Sequence, residues 1–374
     1  MIIGVPKEIK THEYRVGLIP QSVAKLVQAG HKVMIQSMAG DGIGASDKAY
    51  ATAGAIVVSS ADDIYADAEL IVKVKEPQLK ECSQLTSKHI LFAFLHLAAT
   101  PKIASLLQKT GVNAIAYETV EHDGKLPILM PMSMIAGRVA VQRGAYYLEK
   151  PQGGSGVLLG AVTGAKPSKV TVLGAGVVGS NAVAVALGMG AEVTVFDNTE
   201  NKLHDLKNMH INCSDRLHIK VADAKDIDDS VMNADLVIGA VLVPGATAPK
   251  LVSRDSISKM RAGSVIADVA IDQGGCFETS RPTDFSAPIY LEHGIIHQCI
   301  TNLPSAVALS ATLALNHVTL PYILELASKG YRRACFDNPE LLQGLNLCQG
   351  AITYQSVAKA MGETYTPALE ALQA

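Results

Sequence analysis

The sequence predicts an α/β protein: two Rossmann-like doubly wound domains with mostly parallel sheets, joined by long helices. Three observations lead there. Short β-rich runs alternate with helical patterns from the first residues onward. A glycine turn, GAGVVG from Gly174 to Gly179, sits between a strand pattern and a helical one and opens a second α/β unit at Lys169. A length of 374 residues is enough to bury two sizeable cores.

Taken in order, the expected strands are Ile2–Pro6, Lys32–Gln36, Ile56–Ser59, Leu70–Val74, Ile90–Leu95 and Asn113–Ala116, with helical segments such as Gln21–Ala29 and Pro101–Lys109 between them. Met130–Lys150 reads as one long helix with a proline in its first turn. The stretch "PQGGSGVLLGAVTGAKPSK" after it, rich in glycine and proline, reads as a loop. The second unit runs from Lys169 to about residue 303, and Pro304–Lys329 forms another long helix. A unit bracketed by long helices implies a discontinuous arrangement: a substrate domain of residues 1–129 plus 306–374, and a dinucleotide-binding domain of residues 130–305. The alternative is a separate C-terminal helical extension.

Composition narrows the function. Hydrophobic residues make up 48%, as in a globular chain. The net charge is −3 and no long basic run occurs, which argues against nucleic acid as a partner. The cysteines (82, 213, 276, 299, 335 and 348) form no CxxC pair and suit reduced thiols in the cytoplasm, with no metal site. "MIIGVPKEIK" enters a strand at once, without an apolar leader or cleavage site. "AVALSATLAL" is cut short by Asn316, His317 and Pro321, below the roughly 18 uninterrupted apolar residues of a membrane span. A cytoplasmic protein with no membrane partner is expected.

The glycine turn has a preceding β run (Val170–Leu173) and a following helical run (Val177–Gly188). Gly174 allows the tight turn, Gly176 lets backbone approach a pyrophosphate, and Gly179 lets helix and strand pack closely. The helix start, at Val177 and Val178, offers N–H groups to phosphates. Asp197, eighteen residues past Gly179, ends the next strand, where a carboxylate accepts from ribose hydroxyls and repels a 2′-phosphate. A nicotinamide or flavin dinucleotide is expected, with NAD favoured over NADP. The plainer reading is a glycine-rich turn with a solvated Asp197. Lys202 either pairs with a phosphate or covers the adenine pocket.

Ligands of open α/β sheets sit beyond the carboxyl ends of strands. That rule selects Arg15 in "THEYRVGL", Lys75 in "KEP", His96 after "ILFAFL" and Asp272 in "IDQGG". Each also has a plainer reading: Arg15 as a surface cation near Glu13, Lys75 as solvated beside Glu76, His96 as a satisfied core histidine, and Asp272 as a turn residue bonding its own backbone. Asp268, four residues before Asp272, is its rival but lies within the strand run.

At these residues the chain resembles the family shared by alanine dehydrogenase and the NAD-binding subunit of proton-translocating transhydrogenase. The resemblance covers essentially the whole chain. It rests on "GVPKEIKTHEYRVGLIP" (4–20), "VKVKEP" (72–77), "AFLHLA" (93–98), "MPMSMIAGR" (130–138), "VLGAGVVG" (172–179), "IGAVLVPGATAPKL" (238–251), "DVAIDQGGCFETSRPT" (268–283) and "NLPSAV" (302–307). It implies NAD-dependent, reversible oxidative deamination of L-alanine to pyruvate and ammonium. By the same resemblance Arg15 binds the substrate carboxylate, Lys75 bonds the substrate near its reacting carbon, and His96 and Asp272 are the acid/base pair. Cofactor contacts are implied at Ser133, Gly174, Gly176, Val177, Val178, Gly179, Asp197, Lys202, Val241, Leu242, Val269, Ala270, Ile271, Arg281, Asn302 and Leu303. Ala222 departs from the family pattern, which has serine there. The resemblance further implies a split substrate domain and a homo-hexamer. Histidine suits the proton transfers without a large shift of its ordinary pKa. The rival readings are a transhydrogenase-like NAD(H) subunit, a non-catalytic NAD-binding protein, and a dehydrogenase of other small amino acids.

Overall fold

A computed structural model describes residues 1–241 and 248–373. In chain order its strands are β1 (Ile2–Val5), β2 (Lys32–Gln36), β3 (Ile56–Val58), β4 (Leu70–Val72), β5 (Ile90–Ala93), β6 (Asn113–Ala116), β7 (Lys169–Leu173), β8 (Glu192–Asp197), β9 (Leu217–Val221), β10 (Leu236–Gly239), β11 (Val265–Asp268), β12 (Tyr290–Glu292), β13 (Ile295–Gln298), β14 (Leu345–Cys348) and β15 (Ala351–Ile352). The chain divides into two compact units, Met1–Met132 with Ser305–Ala374, and Ser133–Pro304.

The first unit holds the sheet β15-β14-β6-β5-β4-β1-β2-β3, parallel from β3 through to β6 and antiparallel at β14 and β15. Its central strands Leu70–Val72, Ile90–Ala93 and Asn113–Ala116 are wholly buried runs, as expected where helices cover both faces. One face of the core gathers Ile64, Leu91, Leu107, Ala114 and Leu347. The strand order reverses between β1 and β4, so a crevice opens at their carboxyl ends.

The second unit holds the sheet β12-β13-β11-β10-β7-β8-β9, parallel except at β12. Leu173, Val237, Ile266, Phe277 and Ile295 pack one face. Its order reverses between β7 and β10, again at carboxyl ends. Both sheets therefore have the doubly wound topology that the alternating pattern predicts.

The differences from the sequence expectation have physical causes. β4 and β5 each stop two residues early because glutamates take over their backbone donors. Val74 N–H donates to Glu8 Oε1 at 2.6 Å, and Leu95 N–H to Glu118 Oε2 at 3.2 Å. The late helix runs on to Asp337 as Ala308–Asp337, and breaks at Gly330, whose φ of 72° is outside the helical region. By length and composition the segment Leu303–Asp337 is apolar enough to cross a membrane, contrary to the expectation from its interruptions. It is instead tied into the first unit: buried Asn316 accepts from Ile19 N–H at 2.9 Å and donates to Gly17 O at 3.2 Å.

Asn316→Leu would leave Gly17 O buried without its donor and the part-buried Ile19 N–H without its acceptor. It is expected to cost about 1–3 kcal/mol, seen as a lower thermal midpoint than the native chain under the same buffer.

Candidate active site

Arg15, Lys75 and His96 all follow strands at or next to the reversal point of the first sheet: β1, β4 and β5. Arg15 is 2% exposed, which rules out a surface cation. Its guanidinium donates to Glu13 through Nε (2.8 Å) and NH2 (2.6 Å), and NH1 lies 3.2 Å from Met132 Sδ. Glu13 also accepts the Arg15 backbone N–H at 3.0 Å, so one buried carboxylate fixes both chain and fork.

Lys75 is also buried, and its position is set by Glu8. Glu8 Oε1 takes the Val74 and Lys75 N–H groups at 2.6 and 3.4 Å, while Oε2 receives Lys73 Nζ at 3.0 Å. Lys73, fully buried, also meets Glu81 Oε1 at 2.8 Å, which accepts in turn from the Tyr65 hydroxyl at 3.0 Å. Burial opposes the charge on Lys73, but Glu8 and Glu81 outweigh it and raise its pKa. Lys10 pairs with Glu76 on the same loops.

His96 has a left-handed backbone, φ 47°, uncommon outside glycine. Glu118 Oε1 holds that conformation by accepting the His96 N–H at 2.6 Å, and stands 3.9 Å from Nδ1. The imidazole stacks on Phe94, centroids 6.0 Å apart, and Phe94 and Phe92 both edge onto Tyr117. Tyr117 places a buried hydroxyl there with no hydrogen-bond partner. Burial, then the charges of Lys75, Lys10 and Arg15, pushes the His96 pKa down to about 3. This corrects the expectation of an unperturbed histidine: burial and the neighbouring cations favour the neutral ring, although about a third of its side chain (34%) reaches solvent. It also shows that the three cations lie within electrostatic range of one imidazole.

Asp272 belongs to the second unit, exposed on the turn Val269–Gln273 that follows β11. Its rival Asp268 is 1% exposed and structural: it accepts from Ala270 N–H (3.0 Å), Cys276 N–H (2.9 Å) and Ser280 Oγ (2.6 Å).

The glycine turn fits a dinucleotide. Gly174 has φ 105°, and a Cβ on Gly179 would lie 1.7 Å from Gly174 O. A Cβ on Gly176 would meet nothing within 4 Å, so that side of the turn is open. The helix Val177–Gly188 starts there with no side-chain cap, leaving its first N–H groups to a phosphate. Asp197 is rigidly set by Ala175 N–H and Thr199 N–H, both at 2.8 Å. Ala222 N–H bonds Asp197 O at 3.1 Å.

Of the other expected cofactor contacts, Val241 follows β10, and Val269, Ala270 and Ile271 share the turn with Asp272. Ser133 lies in the helix Leu129–Tyr147, Lys202 is exposed in Glu200–Met209, and Arg281 lies over the Tyr290 ring at 3.9 Å. Asn302 is left-handed, φ 72°, just before buried Leu303. Val177 and Val178 open the helix, and Leu242 lies outside the described residues.

Glu8, Lys10, Lys73, Tyr117 and Glu118 escaped the sequence reading. The strand-end rule, extended to β6, reaches Tyr117 and Glu118, and "PKEIK" after β1 holds Glu8 and Lys10.

Comparison with known proteins finds two family models in this chain: alanine dehydrogenase/PNT, N-terminal domain, over residues 4–136, and its C-terminal domain over residues 140–355. The chain is 49% identical to an alanine dehydrogenase of Halomonas elongata, over 98% of this chain and 99% of that one. It is similar to a solved L-alanine dehydrogenase with TM-score 0.92 and 47% identity, covering 97% and 99% of the two chains. It also matches a transhydrogenase from Sinorhizobium meliloti with TM-score 0.79 and 25% identity, covering 95% and 100%.

Asp197→Ala should weaken NADH binding and narrow the preference over NADPH. Fluorescence titration with each cofactor reads this, and an unchanged ratio would count against a ribose contact.

Proposed function

The chain belongs to the alanine dehydrogenase/PNT family, and on that premise we propose that it catalyses the NAD-dependent, reversible oxidative deamination of L-alanine to pyruvate and ammonium. The observation that carries this reading is the cluster of buried Arg15 and Lys75 with half-buried His96 at the reversal point of the first sheet. Such a cluster suits a small carboxylate with a reacting carbon beside it.

A dinucleotide held at the glycine turn and Asp197 would supply the hydride acceptor for the alanine Cα, and the hydride donor in the reverse direction. Everything else falls to the chain. Arg15, its fork oriented by Glu13, grips the substrate carboxylate and fixes the direction of the Cα–H bond. Lys75 stabilises negative charge on the carbonyl or carbinolamine oxygen. His96 enters uncharged and so can accept a proton. Asp272 carries protons to or from the water that adds to the imine. No residue cluster suited to a metal occurs among the described residues, and the proposed steps need none. The proposal includes a homo-hexamer in the cytoplasm, inferred from the family resemblance.

The likeness to the transhydrogenase favours a second reading, hydride exchange between two nucleotides. NAD reduction with a panel of amino acids at alkaline pH decides between them. L-alanine should be preferred over serine, glycine and valine; exchange between nucleotides without any amino-acid turnover would support the rival. His96→Ala and Asp272→Asn should each lower kcat by at least about 10²-fold, with NADH binding retained. Normal turnover in either variant would remove that residue from the mechanism.

A proton-coupling prediction follows from the sign of the His96 shift. Burial first and cations second lower its pKa, so a carboxylate bound to Arg15 and Lys75 should offset the cationic part and raise it. Pyruvate binding at a pH just above the free-protein value of about 3 should therefore take up protons. Calorimetry in buffers of different ionisation enthalpy measures the uptake, and His96→Gln should abolish it.

A further inference from the structure

We propose that Lys250 is a positioning residue for Asp272, acting through the loop that joins β11 to Ser280. The proposal rests on the acid–base role given to Asp272 above.

The loop has little to hold it in place by itself. Gly274 and Gly275 follow one another in the left-handed region, φ 90° and 75°, directly after the turn that carries Asp272. Within the loop, Gly274 N–H bonds Ile271 O at 2.9 Å and Gly275 N–H bonds Ala270 O at 3.0 Å. Glycines in this region lose much backbone freedom on ordering, so a loop of this kind stays fixed only if its surroundings determine it.

Two charged side chains supply that constraint from opposite chemical sides. Asp268, an anion, gathers donors: the N–H groups of Ala270 and Cys276 and the Ser280 hydroxyl. It sits so close that a Cβ on Gly275 would lie 2.4 Å from Oδ2. Lys250, a cation, gathers acceptors: its Nζ donates to Gly274 O at 2.6 Å, Gly275 O at 3.0 Å and Phe277 O at 3.0 Å. Carbonyl dipoles pointing at one spot repel each other, and an ammonium with three donors resolves that repulsion. The backbone beside Lys250 is joined to the same loop, with Ala248 N–H to Gln273 O at 2.9 Å and Leu251 N–H to Cys276 O at 2.8 Å. Asp272 lies on the turn between the two clamps, so removing the cation frees the carbonyls beyond it and lets the turn drift.

The test is a double-mutant cycle with a second readout. Lys250→Met should lower kcat by about tenfold or more while NADH affinity changes by less than about twofold, and Lys250→Arg should restore most of the loss. In an Asp272→Asn background the same Lys250→Met change should cost less than about twofold, because the group it positions is already disabled. Full activity in Lys250→Met, or a loss that multiplies undiminished onto Asp272→Asn, overturns the proposal. Amide hydrogen exchange on the folded native and Lys250→Met or Lys250→Gln chains tests the clamp without turnover. Faster exchange confined to residues 271–277 supports it, and unchanged exchange there overturns it. A wild-type chain that does not reduce NAD with alanine counts against the reading of function, while the exchange result still decides the clamp.

Discussion

The first unit depends on carboxylates taken out of water and set behind the residues that face its crevice. Glu13 holds the Arg15 fork, Glu8 holds the backbone of Lys75, and Glu118 holds the backbone of His96 in a left-handed conformation. A buried carboxylate is costly unless several donors satisfy it. Each of these three is satisfied by backbone N–H groups or a cation, so the cost of burial is offset by rigid geometry. The outcome is a set of cations and a neutral imidazole whose positions are determined before any ligand arrives. Preorganisation of this kind is what electrostatic stabilisation of a reacting group requires.

The second unit reaches the same end by a different route, through backbone rather than buried charge. The close passage of Gly179 against Gly174 O, and the open side of Gly176, shape a turn that needs no side chain to receive an anion. Asp197 then fixes the turn by accepting from Ala175 and Thr199. The two sheets share a strand order around their reversal points, yet charged side chains follow the strands there in the first and a glycine turn follows them in the second.

Much of this was legible in the sequence because it is local. β2 and β6 fall on the residues that alternation alone predicts, and the helix Val177–Gly188 has the predicted bounds. Arg15, Lys75 and His96 were reachable from the strand-end rule, since position after a strand is a sequence property. What was not legible involves residues distant in sequence. The early ends of β4 and β5 depend on Glu8 and Glu118, which lie 66 and 23 positions away from the amides they capture. The His96 shift depends first on burial and then on cations from two loops, Lys75 after β4 and Lys10 and Arg15 after β1. The burial of Arg15 looked improbable from composition, because a nearby glutamate reads equally well as a surface neighbour until the fold encloses both.

Lys73 and its two glutamates carry a consequence for how this protein can change over generations. The ammonium is fully enclosed with Glu8 and Glu81. Losing one member of such a buried group strands the charge of another, at a cost of about 3–5 kcal/mol, a large share of what keeps an ordinary domain folded. Stepwise change at any of the three positions is therefore costly, whereas replacing all three at once by apolar residues strands no charge. Glu8 also steadies Lys75, so a lineage that made that replacement would have to find a new support for the neighbouring lysine in the same step.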